Sequence, residues 1–149
     1  MLRSAGVYKY KNKIYFQGFS KTNVGLRILN GPVFMSPDNY SSVIGQATLD
    51  ALDQCKFNIK NPDEFKNPSI KDGMLEATKC KTWNALMKNS TTISVYENED
   101  GSIKLLPLRF RGATGPNRGY DFLEDKAIIS STDPEELGRN VLKALELCE

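Results

Sequence analysis

The sequence predicts an α+β fold of two pseudo-repeated units, each about four antiparallel strands followed by a helix, joined by a partly helical arm. One eleven-residue phrase occurs twice. Gly45 to Cys55 reads GQATLDALDQC and Gly138 to Cys148 reads GRNVLKALELC, so both fit G-x3-L-x-A-L-x2-C. Each copy is preceded by a short apolar strand and a helix-starting cap: Val33-Phe34-Met35-Ser36 with Pro37-Asp38, and Ala127-Ile128-Ile129-Ser130 with Thr132-Asp133-Pro134. Upstream of both lie β-branched and aromatic stretches broken by turn residues. A repeated strand-then-helix unit must bury its apolar helix stripe against something, which makes the repeat informative about architecture. The units span residues 7–56 and 91–149, and the arm spans 57–90.

In the first unit, Val7 to Tyr10 and Lys13 to Phe19 flank Lys11-Asn12 and read as a hairpin. Val24 to Leu29 and Pro32 to Ser36 flank Asn30-Gly31, a strong hairpin signal, so a second turn is expected there. A helix follows from about Ser41 to Lys56, with Ile44, Ala51, Leu52 and Cys55 on one stripe and Leu49 at its edge. In the arm, Asn58, Asn61, Pro62, Asn67 and Pro68 indicate an irregular surface stretch, and Gly73 to Thr78 and Lys81 to Lys88 read as short helices. Trp83, Leu86 and Met87 can bury one face of the second. In the second unit, Thr91 to Tyr96 and Ser102 to Phe110 flank the turn Asn98 to Gly101, and Tyr120 to Leu123 and Lys126 to Ser130 are shorter strands. The last helix runs from about Pro134 to Cys148 on the stripe Leu137, Val141, Ala144, Leu145 and Cys148, with Asp133 as cap and Pro134 at its first position.

A chain of 149 residues with 40% hydrophobic content fits one domain, 1–149, with its own core. No apolar run approaches the roughly 20 residues needed to span a bilayer. Met1 to Tyr10 lacks a signal-peptide core, so a cytoplasmic location is expected. The three cysteines, Cys55, Cys80 and Cys148, lack C-x2-C spacing and the chain has no histidine, which argues against a disulfide framework or a typical zinc site. Histidine-based triads and imidazole acid/base chemistry are excluded outright. No catalytic group, metal or cofactor is expected. Net charge is +2 but unevenly spread: residues 1–56 carry seven Lys/Arg against three acids, 57–90 six against four, and 91–149 seven against eleven. Such polarity suits a charged macromolecular partner.

Four segments carry residues of possible functional weight. The stretch Arg109 to Tyr120 holds three arginines, three glycines and two aromatics. It reads either as a basic contact loop or as a glycine-punctuated connection, and it matches no phosphate-binding motif. Tyr8, Tyr10, Tyr15, Phe16 and Phe19 interleave with Lys9, Lys11 and Lys13, the composition of a single-strand binder. Alternation must turn half of those aromatics into the core. Ser20-Lys21-Thr22 is a polar turn without an orienting third group. The pairs Asp63/Glu64 and Glu124/Asp125 read as solvated surface.

With these segments in place, the chain resembles the immunity proteins of bacterial contact-dependent growth inhibition systems. The similarity is carried by Val7-Tyr8, Ile14-Tyr15-Phe16-Gln17, Phe19-Ser20-Lys21-Thr22, Gly25-Leu26, Gly31-Pro32-Val33, the Gly45 helix, Thr82 to Lys88, and Asp133-Pro134-Glu135-Glu136-Leu137-Gly138 through Ala144-Leu145 to Cys148-Glu149. Gly18 stands where the family phrase has proline, and the 109–120 loop diverges. The resemblance implies a non-enzymatic antidote in the bacterial cytoplasm that binds the C-terminal toxin domain of a large secreted effector, a cytosolic nuclease being the expected toxin, and blocks its active site or substrate access. The expected contact residues lie in the loops of the second unit: Glu97, Glu99 and Asp100 in one turn, Asp121, Glu124 and Asp125 in another, and Arg109, Arg111, Arg118 and Tyr120 in the arginine loop. The alternative is a single-stranded nucleic-acid-binding module. Two units of strands plus a helix are arranged like the single-strand-binding Whirly proteins, whose sequence motifs are absent here.

Overall fold

A computed structural model describes residues 2–60, 69–112, 114–116 and 118–149. The expected irregular stretch at Asn61, Pro62, Asn67 and Pro68 and the pair Asp63/Glu64 lie outside the described residues, as do Ala113 and Asn117 of the arginine loop. Seven strands form one sheet in the order β3-β2-β1-β4-β5, with β5 then paired by both β6 and β7. The first unit supplies β1 (Ser4–Tyr10), β2 (Lys13–Lys21), β3 (Arg27–Pro37) and α1 (Ser41–Asp53). The arm supplies α2 (Ser69–Thr78) and α3 (Trp83–Asn89). The second unit supplies β4 (Thr91–Glu97), β5 (Ile103–Phe110), β6 (Tyr120–Phe122), a one-turn 3-10 helix (Glu124–Lys126), β7 (Ile128–Ser130) and α4 (Pro134–Glu146).

Every strand pairing is antiparallel, and the two units meet where β1 pairs β4, Val7 lying opposite Ile93. The Lys11-Asn12 turn forms as expected, both residues taking positive φ (50° and 64°) as a two-residue hairpin requires. The Asn30-Gly31 turn does not form. β3 runs through both residues as one strand, and the pairing with β2 steps from Gln17↔Val33 to Phe19↔Leu29, so Asn30, Gly31 and Pro32 bulge opposite Gly18. Gly31 takes φ +87°, the same left-handed conformation a turn would have demanded, so the local residue signal was right and its setting was a bulge. The chain instead reverses between Thr22 and Leu26: the Thr22 N–H donates to the Leu26 carbonyl at 2.8 Å and the Leu26 N–H donates to Thr22 Oγ1 at 3.0 Å. The first unit therefore has three strands and the second four. The outer strand is interrupted in both, by the bulge in one and by the 3-10 turn between β6 and β7 in the other.

Helices α1 and α4 lie side by side on one face of this sheet. Ile44, Ala51 and Leu52 from α1 and Leu137, Val141 and Ala144 from α4 are fully buried against Val7, Ile14, Phe16, Ile93, Val95 and Leu105. Each fully buried aliphatic or aromatic side chain of this kind contributes roughly 1.5–3 kcal/mol. The repeated glycines set the helix crossing. A Cβ on Gly45 would lie 1.8 Å from the Pro134 carbonyl oxygen, and one on Gly138 would lie 1.7 Å from that of Ser41, a reciprocal contact that brings each helix against the first turn of the other. The start of α4 is built as expected: Asp133 accepts from the Glu136 N–H at 3.1 Å and Pro134 opens the helix.

The arm covers part of the opposite face. Tyr8, Tyr15, Met74 and Leu86 form a second buried cluster, flanked by Leu29, Val33 and Trp83, with the Tyr8 and Trp83 rings 6.1 Å apart. The arm packs on β3 and β2, and among the described residues no helix covers the β4–β5 side of that face.

Candidate partner-binding surface

The residues expected to make contacts fall into two groups along β5. At its far end, Arg109 donates to Asp121 through Nε at 3.1 Å and Nη2 at 2.5 Å, and Arg111 donates to the other oxygen of the same carboxylate. Arg109 also reaches Glu149 at 3.4 Å, and Glu149 is paired by Lys126. The Phe110 and Tyr120 rings pack at 5.4 Å. Hydrogen bonds from both guanidiniums hold the Asp121 carboxyl below the usual carboxylate range, while burial pushes the Tyr120 phenol up. Arg118 is exposed on this loop. The loop thus reads as a braced, charge-compensated hairpin extension in which Asp121 is committed to two arginines.

The other group lies at the near end of β5, Lys104 and Arg109 being roughly 17 Å apart at 3.3 Å per residue. Glu97 accepts two bonds from the Arg3 guanidinium, at 3.1 and 2.6 Å, and Arg3 also pairs with Asp53 at the end of α1. These bonds hold the Glu97 carboxyl below its ordinary range. Asp100 accepts from the Ser102 N–H at 2.9 Å and hydroxyl at 2.6 Å, which closes the turn and lowers its own pKa. Glu124 takes a 2.7 Å bond from Lys104. Glu99 and Asp125 are exposed and form no ion pair among the described residues.

Between β3 and β6, on the part of the sheet the arm leaves open, lies a groove of 540 Å³. Ser4, Tyr96 and Leu106 line it, and the half-exposed Leu2 and Phe122 stand on its rim, together with the charged groups Arg27, Lys104 and Glu124. Strand register puts these side chains together: Phe19 lies opposite both Ser4 and Leu29, and Ser4 lies opposite Tyr96. The Arg27 guanidinium sits 4.3 Å from the Phe19 ring centroid and 5.1 Å from that of Tyr96, and its Nη1 donates to the Tyr96 hydroxyl at 3.3 Å. Of the expected residues only Glu97 and Glu124 line this groove. Arg27, Tyr96, Leu106 and Phe122 come from four strands, β3, β4, β5 and β6, and no contiguous motif marks them.

The first hairpin does not offer a base-stacking platform through Tyr8 and Tyr15, which are 6% and 5% exposed beneath the arm. Tyr10 is half-buried with Lys11 over its ring at 5.2 Å. Among the described residues no cluster of His, Cys, Asp and Glu could hold a metal ion, and no helix is long and apolar enough to cross a membrane.

No family model matches the chain, and no curated protein matches it in sequence. Solved structures do match along its whole length. A protein of unknown function from Neisseria meningitidis, NMB0488, superimposes with a TM-score of 0.77 at 22% identity, covering 100% of this chain and 96% of its own. A chain of the CdiA-CT/CdiI toxin and immunity complex from Yersinia pseudotuberculosis superimposes with a TM-score of 0.70 at 19% identity, covering 100% and 98%. At these identities the likeness is one of fold.

Proposed function

We propose that this protein is the immunity protein of a contact-dependent growth inhibition system, which binds the toxin domain of its cognate effector in the cytoplasm and neutralises it without catalysis. The observation that carries this reading is the full-length structural match to a chain of a toxin and immunity complex. The sequence resemblance points the same way. A groove bordered by ordered, paired charges suits a protein whose work is binding, since complementary fields steer encounter and buried anchors set lifetime.

The toxin in this reading is a cytosolic nuclease, and the exposed acids that no ion pair or hydrogen bond holds among the described residues, Glu99 and Asp125, face its basic substrate groove. Arg118 on the second-unit loop is a further contact, and Glu97, Asp100, Arg109, Arg111, Tyr120, Asp121 and Glu124 shape and brace those loops. Co-expression with the toxin domain encoded beside this gene is expected to restore growth, and the two purified proteins are expected to bind with nanomolar Kd or tighter. A chain that neither binds that domain nor restores growth is not its antidote.

A further inference from the structure

We infer that the toxin docks in the groove on the uncovered half of the sheet, and that Arg27 is its anchor, receiving a carboxylate of the toxin. This rests on the immunity reading and adds to it the place and chemistry of recognition.

The charges around the groove single out Arg27. Arg3 is satisfied by Glu97 and Asp53, and Lys104 by Glu124. Arg27 forms no ion pair among the described residues; its recorded partners are two aromatic rings and one phenol hydroxyl. The groove therefore carries one uncompensated positive charge at a known place. Cation–π contacts with Phe19 and Tyr96 and the bond from Nη1 to the Tyr96 hydroxyl hold the guanidinium in place, and a planar fork fixed in advance loses less entropy when a carboxylate binds its remaining donors.

The surroundings fit a protein partner better than a small anion. Leu106 is 2% exposed in the floor, while Leu2 and Phe122, 50% and 55% exposed, offer apolar rim for side chains flanking the carboxylate. A second depression of 260 Å³, bordered by Lys21 and Phe57, adjoins the groove through the shared residues Leu2, Ser4 and Arg27. Arg27 is the ridge between the two. Arg27 is itself exposed, so a partner can reach it, and an arginine with aromatic and apolar neighbours is the composition of an interface hot spot once a partner covers it.

Two other surfaces fit less well. The pocket bordered by Lys9, Lys11 and Lys88 draws on flexible lysines, one already paired with Asp38 at 3.8 Å. The groove between Met35 and Val43 has Asp50 as its one charged lining residue, and Asp50 already accepts from Gln46 at 3.0 Å.

Binding of the full-length protein to the catalytically inactivated toxin domain encoded beside it, measured by calorimetry at fixed salt, tests the assignment. Arg27→Ala is expected to weaken binding about 100-fold and Arg27→Lys about 10-fold, while Lys88→Glu on the far pocket leaves it unchanged. Phe122→Ser, at an exposed position that does not threaten the fold, is expected to weaken it about 10-fold. Tight binding by the wild type that survives both Arg27→Ala and Phe122→Ser overturns the docking site and leaves the immunity function standing. Failure of the wild type to bind removes the function itself. A concentration-dependent dimer in sedimentation that Arg27→Glu abolishes, with toxin affinity unaltered, overturns the assignment in favour of a second copy of this chain as the occupant.

Discussion

Arg3 ties three parts of the molecule to one another, since its guanidinium and backbone N–H reach Glu97 on β4 and its guanidinium also reaches Asp53 at the end of α1. The bonds lower the Glu97 pKa, so the sign of its pH effect is fixed: the stabilisation is fully present above the ordinary carboxylate pKa and is lost as pH falls through the depressed folded value. Glu97→Gln is expected to lower stability by about 1 kcal/mol at pH 7. The gap to wild type narrows in thermal melts as pH falls below the ordinary carboxylate value and closes only once pH is below the depressed folded value, where both side chains are neutral. A gap independent of pH would locate the effect in packing. Single residues were legible unevenly. Asp133 as cap and Pro134 at the first helical position follow from rules acting within one turn. The sequence named Glu97 as a contact residue, and the structure spends it on Arg3, a partner that only β1–β4 pairing brings near. Arg27 had no local signal, because its significance depends on Phe19 across one hairpin and Tyr96 from the other unit.

At the scale of elements, the repeated phrase marked both helices and their buried stripes, except that α1 and α4 end before Cys55 and Cys148, which are only half-buried, and it held a reason that no single helix reveals. Gly45 and Gly138 are spaced for a reciprocal close crossing, each beneath the first-turn carbonyl of the other helix. Alanine in an open helix interior stabilises by about 1 kcal/mol relative to glycine, so the sign of the change is diagnostic. Gly45→Ala and Gly138→Ala are each expected to destabilise by about 3 kcal/mol, read from urea unfolding, because the added methyl displaces a backbone oxygen that cannot yield alone. The Asn30-Gly31 misreading has a different cause. A turn and a bulge ask the same left-handed φ of glycine, and long-range pairing with β2 decides between them. Two short arm helices were foreseen, the second with a buried face, though not that they roof Tyr8 and Tyr15. Met74→Ala, deleting a fully buried side chain there, is expected to cost about 2–4 kcal/mol while leaving toxin affinity within about twofold, since the groove lies on the uncovered half of the sheet.

For the whole molecule, sequence patterning conveyed class and pseudo-repeat because both depend on period and order. It conveyed little of the recognition surface, which is set by what the single arm leaves bare. The two units are equivalent in plan, yet there is only one arm, and it roofs only the side nearer β3. The asymmetry, more than any motif, places the groove.

The β1–β4 seam has a kinetic consequence. Val7 and Ile93 lie next to one another at the centre of the sheet, although the first hairpin, α1 and the whole arm separate them along the chain. Closing so long a loop before the core can form predicts refolding in the millisecond-to-second range, slower than an all-helical domain of similar size. On a ribosome the first unit must wait, its apolar helix stripe exposed, until α4 has emerged to cover the glycine crossing. A partial product of a chain built this way has no folded core: isolated residues 2–60 are expected to lack cooperative thermal unfolding, whereas the intact chain is expected to melt in one transition.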